Sequence, residues 1–212
     1  SRRREHMDMG LKITFMIAIP CAVGVAVLGG PIIQMLFSDA TTLPGRMLFV
    51  GAVNIVFYAL STLTSTVLQA SSHMKVPVIN ALISLGIHIL FTVVLLAFAD
   101  LHVFAIIYGN IIFSFCMCLL NFYSLMKLTG YRIDLSKMAL PTLIASLIMG
   151  VFAFLSYRGI LFVIHSNTIS VILAIIIAVI VYALVMIVTR AVTEEELYMF
   201  PKGSSIVQLF KM

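Results

Sequence analysis

Charge is what this sequence has least of. Only 10% of its 212 residues are Asp, Glu, Lys or Arg, against 62% hydrophobic, where a soluble domain carries about 25% charged residues. That balance excludes an ordinary soluble domain and is the composition of a polytopic membrane protein. No charge lies at the centre of a long apolar run: Asp39, Arg46, Lys75, Asp100 and Arg158 all stand at run ends. Cysteine is also scarce. Cys21, Cys116 and Cys118 fall inside apolar runs, and Cys116 and Cys118 would point about 200° apart on a helix. Such a pair suits neither a disulfide nor a metal, so all three are expected to be buried structural thiols. There is no His-Glu-x-x-His, no Gly-x-Ser-x-Gly and no phosphate-cradling glycine loop. An intramembrane enzyme needs a nucleophile or metal cluster with a partner base, so the chain is read as a non-enzyme without cofactor or metal.

What it does have is six apolar runs, near 13–37, 46–70, 76–98, 103–126, 138–157 and 168–189. Each is long enough to cross roughly 30 Å of hydrocarbon, and helices are expected because lipid offers no partner for free backbone groups. With six spans, both termini share a side with the second–third and fourth–fifth loops. Eleven of the 13 Lys and Arg residues fall on that side; only Arg46 and Arg158 fall on the other. The positive-inside rule makes the rich side cytoplasmic. The net charge of +5 is then a topology signal, and nucleic acid is not expected as a partner. Ser1-Arg2-Arg3-Arg4 runs into a full span with no cleavage site, so it is not a secretory signal. The chain is expected to be a fragment that lacks an N-terminal part.

The first span has an unusual backbone. Met16 to Phe37 contains Pro20 and Pro31 with Gly24, Gly29 and Gly30, while Ala18, Ala22, Ala26 and Gly30 recur every four residues. That ridge of small residues admits a close neighbour. Pro20 removes a backbone donor and should loosen the helix, and the Gly29-Gly30-Pro31 run is expected to break or bend it again. Pro20, Gly29 and Gly30 are the candidate hinge.

The next three spans carry polar stripes. In the second, Asn54, Tyr58, Ser61, Thr62, Ser65 and Gln69 fall within an arc of about 100°. In the third, Asn80, Ser84, His88 and Thr92 form a ladder; in the fourth, Asn110, Ser114 and Asn121 share a narrow face. Polar groups are costly in lipid, so these faces should meet other helices or a water-filled cavity. Asn54, Gln69, Asn80, His88 and Asn110 are the candidate cavity lining. His88 is the titratable group at membrane depth, where hydrogen bonding and proton relay both remain open. The last two spans are blander. The sixth reads LAIIIAVIVYALVMIV, with Tyr182 its one polar interruption, and both are expected to be peripheral. The tail after 190 opens on a capping box, Thr193 and Glu196, and could lay Ile206, Leu209 and Phe210 on the membrane surface.

Several stretches carry a resemblance. GLKITFMIAIPCAVGVAVLGGPIIQMLF resembles the ninth helix of the polysaccharide-exporter and lipid II flippase branch of the multidrug/oligosaccharidyl-lipid/polysaccharide flippase superfamily. STLTSTVLQASSHMKVPVINALISLGIHIL resembles the following helix pair, and LMKLTGYRIDLSKMALPTLIASLIMG the loop and helix after it. TEEELYMFPKGSSIVQLFKM is similar to the family's ending, closest to the stage V sporulation protein B-like group. The resemblance implies an all-α, MATE-like fold of about fourteen helices in two lobes that rock about a central cavity, of which these six would be the last. It implies an undecaprenyl-pyrophosphate-linked oligosaccharide as substrate, the bilayer and the absent N-terminal lobe as partners, and the bacterial plasma membrane as location. The cationic residues that receive pyrophosphate are expected in that absent lobe.

The expected organisation is a basic juxtamembrane segment (1–12), a four-helix part (13–126), a cytoplasmic loop (127–137), an appended helix pair (138–189) and an amphipathic tail (190–212). Two other functions remain open. A cation-coupled drug antiporter of the same fold would need a carboxylate at depth, which the six spans lack. A non-transporting scaffold for envelope synthesis needs no transport site.

Overall fold

A computed structural model describes residues 2–37, 42–98, 103–130 and 135–189, with side chains from residue 5 in the first segment and from 138 in the last. The tail, the loop residues Asp39, Asp100 and Arg132, and the side chains of Arg2–Arg4 and Lys137 lie outside this description. Six helices account for nearly all of it: α1 Arg2–Phe37, α2 Leu43–Ala70, α3 Lys75–Phe98, α4 Val103–Thr129, α5 Leu135–Ile164 and α6 Asn167–Val188. Each is long and apolar enough to cross a membrane, and no strand occurs among the described residues. The protein is a multi-pass, all-α membrane protein.

Two expectations about α1 change. The helix begins at Arg2, not near 13, and its 36 residues reach about 54 Å at ~1.5 Å each. Its first turns are polar in composition but carry Met7 and Leu11, which are buried with Phe15, Ile19, Leu60, Leu68 and Leu125. Those two side chains pack the segment onto the ends of α2 and α4. The Gly29-Gly30-Pro31 run does not break the helix either, since α1 continues through both prolines to Phe37. Contacts from other helices hold it there.

The helices pack in the order α3, α4, α2, α1, α5, with α6 against both α5 and α1. The α5–α6 pair therefore meets the rest of the bundle through α1. Its seam is built of small side chains: Ala145, Ala153, Val171 and Ala174 are fully buried, which lets the backbones approach as membrane helices require. Met149, Ala153, Ala174 and Ala178 form a core there with Leu28 of α1. On the other side, Ala18 and Ala22 of the small-residue ridge are buried. At the end of the bundle opposite the lysines, α1 and α2 touch backbone to backbone. A methyl group on Gly45 would stand 2.8 Å from Gly30 Cα, so nothing larger than hydrogen fits.

Candidate functional site

Hydroxyl groups in lipid are most cheaply satisfied by their own helix, and most here are. Thr64 Oγ1 donates to the Leu60 carbonyl at 2.8 Å, Thr62 to Tyr58 at 2.9 Å, and Ser114 to Asn110 at 3.1 Å. These bonds remove much of the polarity that the sequence pattern displays. On α2, α3 and α4, what remains is concentrated mainly in three places.

The first is a knot near the basic end, where α2, α3 and α4 meet. Asn80 Nδ2 of α3 donates to Asn121 Oδ1 of α4 at 2.9 Å and to Ser124 Oγ at 3.2 Å. Asn121 Nδ2 then donates to Ser65 Oγ at 2.8 Å and to the Ser61 carbonyl at 3.1 Å, both on α2. Asn121 is fully buried and uses both its amide oxygen and its amide nitrogen. One asparagine thus joins three helices.

The second lies further along α3. Ser84 Oγ, His88 Nδ1 and Thr92 Oγ1 are buried and have no hydrogen-bond partner among the described residues. They occupy the ladder above Asn80, four residues apart, so they share one slanting face. That face lies on Gly109 of α4, where an added Cβ would come within 2.9 Å of His88 Cε1 and would also strike Thr92. Phe113 meets the His88 ring edge-on, with centroids 6.1 Å apart at 80°. Gly109 admits the polar side chains of α3 against the backbone of α4, and nothing on α4 completes their bonds.

The third is a cleft of about 420 Å³ between α1, α2 and α4, lined by apolar residues such as Val25, Leu48 and Ile107 together with Asn54 and Asn110. Asn54 Oδ1 is buried without a partner among the described residues, while Asn110 is exposed.

Of the five sequence-derived lining residues, Asn54 and Asn110 share this cleft, His88 lies in the α3–α4 seam, and Asn80 is tied into the knot. Gln69 is exposed at the end of α2 and joins none of them. Among the hinge residues, Pro20 is half-buried, Gly29 is buried against Leu48, and Gly30 is exposed, with only its backbone approached by Gly45. Among the described residues, no group of three or more His, Cys, Asp or Glu could hold a metal ion. Sequence reasoning missed the junction role of Asn121 and the space that Gly109 leaves. The signal for Asn121 was its place on the α4 stripe; Gly109 gave none, because a single glycine in a helix does not say what packs on it.

The family model for lipid II flippase MurJ matches residues 2–200 of the chain. Searches of curated proteins and of solved structures gave no match.

Proposed function

We propose that this chain, which belongs to the lipid II flippase MurJ family of transporters, moves an undecaprenyl-pyrophosphate-linked saccharide between the leaflets of the bacterial plasma membrane by alternating access. The observation that carries the proposal is a family match over residues 2–200, reinforced by six membrane-length helices. Polar groups on α2, α3 and α4 that face protein instead of lipid are what a path for a charged, sugar-bearing headgroup requires. Asn54, Asn110 and His88 are the proposed lining, and α1 is the proposed moving element, flexing at Pro20 and Gly29-Gly30. The concentration of Lys and Arg at one end supports cytoplasmic termini. Resemblance of the C-terminal run to the sporulation group supports the narrower role of supplying spore-cortex precursor.

Vesicles holding the intact protein and labelled lipid II test the proposal. Label should become accessible from the opposite leaflet faster than in protein-free vesicles. Equal rates, or drug efflux in place of lipid movement, would remove the flippase reading. Alanine at Pro20 or Gly29 should slow the movement with expression unchanged.

A further inference from the structure

Proline in a helix leaves a specific debt. Pro20 has no N–H, so the carbonyl four residues earlier, that of Met16, loses its helical donor. In water a solvent molecule would replace it; inside a membrane the partner must come from protein. It comes from α6. The Tyr182 hydroxyl donates to the Met16 carbonyl at 2.8 Å, across 166 residues of sequence. Tyr182 is the single polar residue in the apolar middle of α6, and the acceptor it reaches is the carbonyl that Pro20 orphans.

The second proline is braced from the same side. Asn167 Nδ2, at the start of α6, donates to the Pro31 carbonyl at 3.0 Å, and the Tyr157 hydroxyl of α5 donates to Asn167 Oδ1 at 2.8 Å. The α5–α6 pair therefore holds α1 by polar bonds at both of its weak points, while small side chains pack the length between them. A pair needed only for apolar anchoring would have no use for a half-buried hydroxyl in the apolar middle of α6.

We infer that Tyr182 is a latch on the Pro20 hinge: its hydroxyl stands in for the missing amide, keeps α1 continuous in this conformation, and lets go when α1 bends. The inference rests on the reading of α1 as the moving helix of a flippase. It makes Tyr182 a positioning residue, one that acts through α1 and not on the substrate.

The test is a double-mutant cycle in the intact protein, read by hydrogen exchange of the α1 amides from Ile17 to Gly24 and by lipid II movement in vesicles. Tyr182→Phe removes one oxygen and preserves the packing. It should raise exchange in that stretch about three- to tenfold, the range of single interhelical bonds in membranes, and change the transport rate. In a Pro20→Ala background the introduced alanine supplies the N–H to the Met16 carbonyl, so the same Phe substitution should alter exchange less than about twofold and leave transport at the Pro20→Ala rate. Equal effects in both backgrounds would make Tyr182 a general anchor of α6 and overturn the latch. No change in exchange in either background would overturn it too. Because the exchange cycle needs no substrate, failure of lipid II to move would count against the flippase reading alone.

Discussion

Helix α3 is two different structures along one polar face. At Asn80 the amide nitrogen is answered twice: it donates to Asn121 and Ser124 of α4, and Asn121 passes the connection to α2. One turn later the answers stop. Ser84, His88 and Thr92 follow at the same spacing, their inward polar atoms equally withdrawn from lipid but without partners. The contrast is not one of residue type, because Thr64 and Ser114 in neighbouring helices close on their own backbones. A satisfied buried network fixes geometry, whereas an unsatisfied one is costly and persists where another state or a bound molecule completes it. Under the proposed function, Asn80 would be the fixed end of α3 and Ser84 to Thr92 the part whose partners change during transport.

The largest effect should come from the fixed end. Asn121→Ala leaves Asn80 without its main acceptor and empties a fully buried site, so thermal unfolding of the intact protein should report a loss of about 2–3 kcal/mol. Gly109→Ala should cost about 1–2 kcal/mol by pushing His88 and Thr92 off α4; it costs less because side chains, unlike backbone, can turn away. Ser84→Ala should go the other way. Removing a hydroxyl that has no partner should stabilise this conformation by up to about 0.5 kcal/mol while slowing lipid movement. If Ser84→Ala and Asn121→Ala destabilised alike, the distinction between the two parts of α3 would disappear.

Much of the fold was legible because the lipid constraint is simple. Six runs of apolar residues gave six helices, but the polar stripes turn inward only in part: Ser61, Asn80, Ser84, Ser114 and Asn121 are buried, whereas Tyr58, Thr62, Gln69 and Asn110 are exposed. What the sequence hid was long-range. Met7 and Leu11 sit among charges, so the packed first turns of α1 read as a basic juxtamembrane segment ahead of the span. Pro20 and the Gly29-Gly30-Pro31 run announced a weakened helix, but the Tyr182 and Asn167 bonds that brace it come from more than a hundred residues away. Asn80 read as cavity lining because nothing local tells a cavity from a partner, and Asn121 lies 41 residues on. Periodicity identifies the face of a helix that avoids lipid; it does not identify what that face meets.

The most direct measurement is thiol accessibility along α3 in the intact protein, with its native cysteines replaced and lipid II present in the vesicles. Cysteines placed one at a time at Asn80, Ser84, His88 and Thr92 would meet a water-soluble maleimide during turnover. The account predicts reaction at Ser84, His88 and Thr92, increasing when lipid II is added, and protection at Asn80 throughout. Uniform protection along the ladder, or reaction at Asn80 equal to that at Thr92, would contradict it.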